Sequence, residues 1–214
     1  MAQFLSVEIL QEIFKHFDND INRLHSCLFV NKIWSMNVVS LLWNRPFHLL
    51  LQNNFKLSHR IISTYIISLD KEESSKFFSR FVIPESPFYC YPYFLRHLSY
   101  FSFLASIQEW CILYNYKDVH SLSEAIFHLF ANISPKLESL EFTFDLENFH
   151  DFNDFRDFSS VNTYHSVKKD SSIFYKPIVR NWISHISEIE LAGDFIIDEN
   201  FCSLLYICKD LTKV

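Results

Sequence analysis

The chain has 214 residues, of which 49% are hydrophobic, so it can bury a sizeable core and is too apolar to be disordered. Its formal charge is -6, and Lys168 and Lys169 form a lone basic pair near the middle, which argues against a nucleic-acid-binding protein. The sequence contains one glycine, which excludes Gly-rich phosphate-binding loops.

The cysteines predict buried thiols in a reducing compartment. They are odd in number and form no CxxC pair, so neither a zinc site nor a thioredoxin-type redox site is indicated; they stand at positions 27, 90, 111, 202 and 208. No His-containing metal or protease motif and no Gly-x-Ser-x-Gly nucleophile motif occurs either. We therefore expect no catalytic residue, no metal and no cofactor.

Targeting signals are not evident in the sequence. The first apolar run contains two glutamates and follows no basic segment, so it does not resemble a secretory signal. The most apolar stretch, 88–107, is interrupted by Pro92, Arg96 and His97, which leaves about half of a bilayer span. We expect a protein of the cytoplasm or nucleus that does not enter a membrane.

The first predicted helix, FLSVEILQEIFKHF over 4–17, is apolar over an unusually wide arc. At about 100° per residue its apolar side chains cover about 200°, whereas an ordinary surface helix buries a stripe somewhat wider than 100°. Ser6 comes just before the periodic run and is predicted to cap the helix with its hydroxyl. The wide arc indicates a helix that is buried in a large domain or that faces two partners.

Two further short helices follow within the first fifty residues. INRLHSCLFV, 21–30, comes after an Asp/Asn turn, and KIWSMNVVSLLW, 32–43, ends before Pro46. Three helices in about 40 residues are near the lower limit for a domain that closes its own core without a disulfide or metal. We therefore expect a partner to cover part of the apolar arc.

The residues over 4–47 resemble the F-box family. That family begins with Leu-Pro-x-Glu-Ile/Leu-Leu, continues with a Leu-x-x-Cys-x-x-Val-x-x-x-Trp segment and ends with Leu-Trp. The residues that carry the resemblance are Leu5, Glu8, Ile9, Leu10, Leu24, Cys27, Val30, Trp34, Leu42 and Trp43. Ser6 departs from the pattern, because the family has proline at that position.

The resemblance implies a substrate-recognition subunit of an SCF-type cullin-RING ubiquitin ligase. The F-box would bind the adaptor subunit, the rest of the chain would hold an unknown protein substrate, and other subunits would transfer ubiquitin. The implied adaptor-binding residues are Leu5, Ser6, Val7, Ile9, Leu10, Ile13, Val30, Trp34, Leu42 and Trp43. Any one of them, Ile13, Val30 and Trp34 above all, could instead fill the core of the three helices.

Residues 51–92 are predicted to form a helical spacer and a Pro-containing linker. SHRIISTYIISL, 58–69, places its apolar residues on one helical face, and DKEESSK, 70–76, is predicted to be a polar turn. Prolines at 84, 87 and 92 mark the boundary to the following region, 93–214.

Region 93–214 contains two copies of an apolar-x-x-apolar-x-apolar pattern, each predicted to be a short strand. They begin at Leu137 and Ile186, 49 positions apart, and the start of a third lies 25 positions further on at Leu211. Helices are predicted at 121–133, 176–183 and 198–208. Because about 20 to 29 residues is the period of leucine-rich repeats, this region resembles the degenerate repeats often joined to F-boxes. An irregular α/β domain is the alternative.

The sequence therefore predicts a mixed α and β protein: a three-helix F-box over 1–50, a helical spacer and a short, irregular leucine-rich-repeat-like solenoid. A solvated insertion is expected at about 145–172, because its aspartates lack calcium-ligand spacing. The third pattern is cut short, so we expect a small substrate surface and a frayed end at 209–214. The alternative function is a non-catalytic repeat scaffold whose first helices only cap the solenoid.

Overall fold

A computed structural model describes residues 6–17, 20–48, 58–77, 87–134, 137–143, 176–192 and 208. Within them the chain is mostly helical with one small sheet, which confirms the mixed α and β prediction. The helices are α1 Val7–Lys15, α2 Ile21–Cys27, α3 Lys32–Leu42, α4 Ser58–Ile67, α5 Lys71–Phe77, α6 Tyr100–Leu113, α7 Val119–Ile133 and α8 Pro177–Ile183; a 3-10 helix spans Tyr91–Phe94. The strands are β1 His97–Ser99, β2 Ser139–Thr143 and β3 Glu188–Ala192.

The three strands are parallel and lie in the order β1-β2-β3. Leu98, Leu140 and Ile189 are register partners, and all three are buried on the face that the helices cover. Parallel strands need long crossovers, and α6 and α7 supply the first of these. The strands predicted near 137 and 186 are confirmed, whereas β1 was hidden inside the apolar stretch 88–107.

The described strands are spaced more widely than one predicted repeat. β2 pairs directly with β3, and the residues joined across this pair are 49 positions apart. His97 on β1 and its partner Ser139 on β2 are 42 positions apart, because two helices lie between them. Neighbouring strands of the sheet are therefore separated by more residues than the 20 to 29 of one predicted repeat. The third pattern at 211–214, the helix predicted before it except Cys208, and the insertion at 145–172 lie outside the described residues.

Helix α6 is the centre of the main core. Ten of its fourteen residues are buried, because α4, α7 and β2 pack around it. Its buried serines are satisfied within the helix: Ser106 donates to the carbonyl of Ser102, and the Ser99 and Ser102 hydroxyls are 2.9 Å apart. The most apolar stretch of the sequence thus becomes an internal strand and helix. In the described ranges, no helix is long and apolar enough to cross a bilayer.

The predicted spacer packs into this same core. Ile62, Tyr65 and Ile66 of α4 are fully buried in one cluster with the sheet residues, and Phe47 joins them from the segment after α3. The predicted polar turn is wrong, because 71–77 form helix α5. The carboxylate of Asp70 accepts a hydrogen bond from the backbone N–H of Glu73, which caps this short helix.

The cysteines are partly as predicted. Cys27, Cys111 and Cys208 are buried thiols, and burial raises the pKa of Cys111 to about 12 and that of Cys208 to about 11. Cys90 is exposed, contrary to the prediction, because it precedes the short 3-10 helix at the surface. Cys202 lies outside the described residues.

Backbone carbonyl groups that each accept two hydrogen bonds join the strands to one another and the three-helix region to the sheet. The carbonyl of Glu138 accepts from the backbone N–H groups of Ser187 and Glu188, and the carbonyl of Arg96 accepts from those of Glu138 and Ser139. The carbonyl of Asn44 accepts from Arg96 and His97 in the same way, at 3.0 Å each. Asn44 therefore occupies beside β1 the position that Arg96 occupies beside β2. The end of the three-helix region thus extends the hydrogen-bond ladder of the sheet by one position.

His97 on β1 is held in its neutral form. Burial is the main cause that lowers its pKa, and nearby arginines lower it further against the opposing effect of Glu138 and Glu188. One ring nitrogen, Nδ1, lies 2.8 Å from the hydroxyl of Ser139 on the neighbouring strand. When the pH falls below 6.5, the ordinary pKa of histidine, His97 therefore binds fewer protons in the folded chain than in the unfolded chain.

We expect the stability contribution of His97 to be present above pH 6.5 and to be lost as the pH falls below that value. His97→Gln keeps a group that can hydrogen-bond Ser139 but removes the titration. Urea unfolding at about pH 7.5 and about pH 5.5 checks this: the variant loses less stability than the parent chain on acidification. His16→Gln, at an exposed position after α1, is the control and keeps the parent's dependence. Equal slopes for His97→Gln and the parent would contradict the prediction.

Candidate functional site

Helices α1, α2 and α3 form a small three-helix unit with a core of its own. Leu10 and Phe14 of α1 pack against Leu24 and Cys27 of α2 and Val38 of α3. The ring of Phe14 meets that of Trp34 edge to face, with centroids 5.2 Å apart, and Trp34 covers the side of this core. The core of the unit therefore contains few residues, as expected for three short helices.

Side-chain caps fix where the second and third helices begin. The carboxylate of Asp20 accepts a hydrogen bond from the N–H of Arg23, and the amide oxygen of Asn31 accepts one from the N–H of Trp34. Each satisfies one of the backbone donors that a helix leaves free at its start. The caps therefore define the first residues of α2 and α3.

Ser6 does not make the hydrogen bond predicted for it. It stands at the N-cap position of α1 with φ of -64°, but its hydroxyl caps no backbone group of the helix. The nearby carboxylate of Glu8 binds its own backbone N–H and the Ser6 hydroxyl, and these two bonds lower the pKa of Glu8. The hydroxyl is therefore engaged by Glu8 instead of by the helix end.

We expect Ser6→Pro to retain or increase stability, because proline prefers a φ near -65°, which Ser6 already adopts. The gain from a stiffer unfolded chain is about 0.4 to 1 kcal/mol. Ser6→Ala, which removes no capping bond, is expected to change stability by less than about 0.5 kcal/mol. Chemical unfolding of both variants measures this, and a loss of more than about 1 kcal/mol in Ser6→Ala would restore the capping role.

The unit leaves an unusual amount of apolar surface uncovered. Six of the eleven large apolar side chains that are exposed among the described residues belong to it. Phe29 and Val30 lie in the turn between α2 and α3, and Ile33 and Met36 lie three positions apart on α3; we call these four residues the α3 stripe. Val7 and Ile9, the α1 pair, are the other two. Their exposed fractions run from 41% for Ile33 to 76% for Phe29.

The residues predicted to bind the adaptor fall into distinct environments. Ser6, Val7, Ile9 and Val30 are exposed, whereas Leu10, at 1% exposure, lies in the core of the unit. Ile13, Trp34 and Leu42 are partly buried against that core, and Trp43 packs against the main core. Leu5 lies outside the described residues. Leu10 therefore presents no surface to a partner, because its side chain fills the space between the helices.

Three residues of the α3 stripe were missed by the prediction: Phe29, Ile33 and Met36. Their signal was present, because α3 carries apolar residues on two faces: Val38 faces the core of the unit, whereas Ile33 and Met36 are exposed. A wide apolar arc on α3, like that on α1, is the signal that predicts such exposed residues.

Trp43 connects the unit to the rest of the chain. Its ring packs between those of Tyr65 on α4 and Tyr91 in the 3-10 helix, with centroid distances of 5.4 and 4.2 Å. The Ser35 and Tyr89 hydroxyls, 2.9 Å apart, make a second link between α3 and the segment before β1. Trp43 is therefore an anchor between the unit and the main core.

The described residues contain no group of three or more His, Cys, Asp or Glu side chains placed to hold a metal ion. Comparison of the chain with protein-family models, with curated protein sequences and with solved structures found no match. The apolar surface of the three-helix unit is thus the feature on which a functional proposal can be built.

Proposed function

We propose that the chain is a substrate-recognition subunit of an SCF-type ubiquitin ligase, which binds the adaptor through the three-helix unit and a protein substrate through the region around the sheet. The observation that carries this proposal is a unit that closes its own core and still exposes the α3 stripe and the α1 pair. Together with the F-box-like residues over 4–47, this surface favours a protein partner.

The arrangement of the exposed residues matters more than their number. Single exposed apolar side chains are ordinary on protein surfaces, but Ile33 and Met36 lie three positions apart on α3, which is a spacing at which a helix presents apolar anchors to a groove, and Phe29 and Val30 are exposed in the turn before them. Burying one such side chain fully contributes about 1.5 to 3 kcal/mol, so covering Phe29, Ile33 and Met36 would supply a large part of the free energy of a stable complex.

A repeat scaffold that engages no ligase remains the second candidate. The hydrogen bonds from Arg96 and His97 to the carbonyl of Asn44 favour it, since through them the segment after α3 contacts the edge of β1. Capping uses the end of the unit around Asn44, whereas the α3 stripe and the α1 pair stay exposed. Capping alone leaves that surface unexplained, and for this reason we favour adaptor binding.

Co-expression of the full chain with the adaptor subunit tests the proposal. We expect the two proteins to copurify and to elute together from a sizing column in equal amounts. The adaptor co-expressed with an unrelated folded protein of similar size serves as the negative control. If the full chain is folded by circular dichroism but elutes apart from the adaptor, the scaffold function replaces the ligase function.

A further inference from the structure

A cleft of about 230 Å³ lies on the outward face of the sheet, opposite the helices. Its lining comes from all three strands and from the segment that follows α3. The adaptor-binding proposal uses none of these side chains. The cleft stands where the three-helix unit meets the sheet, and such junctions are common places for ligand sites.

The side chains of the cleft form a row that crosses the strands. His97, Ser139 and Glu188 are register partners on β1, β2 and β3. Because Asn44 occupies beside β1 the place that Arg96 occupies beside β2, the next residue, Arg45, extends the row by one position. Arg45 also lines the cleft, and its charge is close enough to lower the pKa of His97.

A second row carries Glu141 and Glu190, which are register partners on β2 and β3. The carboxylate of Glu141 lies 3.5 Å from Nδ1 of His48, so the carboxylate in the middle of the cleft already has a partner. The two rows give the two ends of the cleft opposite charges. Its β1 end carries the cation of Arg45, and its β3 end carries the carboxylates of Glu188 and Glu190.

The length of the first row fits an extended peptide. Neighbouring strands are about 4.8 Å apart, and the hydrogen bonds from β1 to Asn44 hold the adjacent Arg45 about one such step beyond His97, so the row from Arg45 to Glu188 spans about 14 Å. In an extended chain, with a rise of about 3.4 Å per residue, side chains four residues apart lie on the same face and are also separated by about 14 Å. A peptide that crosses the strands can therefore place one side chain at each end of the cleft.

We propose that this cleft binds an extended peptide segment that carries an acidic and a basic side chain four residues apart. The acidic side chain meets Arg45, and the basic side chain meets Glu188 and Glu190. The hydroxyl of Ser139, held by its contact with His97, lies between these two ends. Calling the peptide a substrate segment rests on the proposed ligase function, whereas the cleft itself is defined without the adaptor.

The test is an NMR titration of the isotope-labelled full chain with synthetic peptides. The probe is acetyl-Glu-Ala-Ser-Ala-Lys-amide, and matched peptides replace its Lys, its Glu or both by Gln. We expect amide shifts at 97–99, 139–141 and 188–190, and about fivefold weaker binding after each single replacement. A peptide with Glu and Lys two residues apart is expected to bind no better than the doubly neutral peptide.

A charge-neutral variant locates the basic side chain. In Glu188→Gln with Glu190→Gln, the Lys and Gln peptides are expected to bind equally, while the control Glu72→Gln with Glu73→Gln on α5 keeps the fivefold difference. The peptide series on the unsubstituted chain remains decisive if the variant does not fold. Equal binding of all peptides, no binding at all, or shifts elsewhere would overturn the site. Copurification with the adaptor is scored separately, so either proposal can fail alone.

Discussion

Replacing Ile9 and Ile33 together by Asp is expected to abolish adaptor binding and to leave the chain folded. Both side chains are exposed, at 49% and 41%, and exposed substitutions usually change stability by less than about 0.5 kcal/mol each. In a complex the same positions would bury two carboxylates without partners. The loss is about 3 kcal/mol or more, which corresponds to more than about hundredfold weaker binding. Copurification and calorimetric titration with the adaptor measure it.

The matched control is Ile112→Asp with Leu113→Asp. These two residues are exposed at the end of α6, outside the three-helix unit, at 67% and 56%. The control has the same change in charge and apolar surface, so we expect its adaptor binding to equal that of the parent chain. If both double variants weaken binding alike, the effect is a general one of charge and the α3 stripe and α1 pair are not the interface.

Trp110→Ala is expected to destabilise the chain by about 3 to 5 kcal/mol. Trp110 lies at the centre of the main core with 0% exposure, and its Nε1 donates a hydrogen bond to the hydroxyl of Ser63 at 2.9 Å. Its removal leaves a large cavity and takes away the contact with the ring of Tyr114. The free energy of unfolding from urea titration measures the loss.

Two companion variants separate the causes of that loss. Ile112→Ala on the same helix removes an exposed side chain and is expected to change stability by less than about 0.5 kcal/mol. Trp110→Phe keeps most of the volume but lacks the donor to Ser63, so an intermediate loss is expected. A Trp110→Ala variant as stable as Ile112→Ala would show that α6 is not the centre of the core.

Sequence patterns predict some features of the candidate site and not others. The excess of apolar surface on α1 could be predicted, because helical periodicity fixes how wide the apolar arc is. Which of these side chains fill the core could not be predicted. Leu10 and Ile9 are neighbours in the sequence and similarly apolar, yet Leu10 is buried and Ile9 is exposed. That choice depends on the rotation of α1 against α2 and α3, which the packing of Phe14 against Trp34 fixes.

The sequence by itself determined the apolar helices, the positions of β2 and β3, and the start of α2 after an Asp/Asn turn, because each depends on residues close together along the chain. Only the tertiary structure decided that β2 and β3 are direct neighbours across 49 residues and that Asn44 extends their ladder beyond β1. Strand order and the polar rows across the sheet depend on contacts between distant segments. Local periodicity carries no information about such contacts, since a crossover of one helix or of two satisfies the same strand pattern.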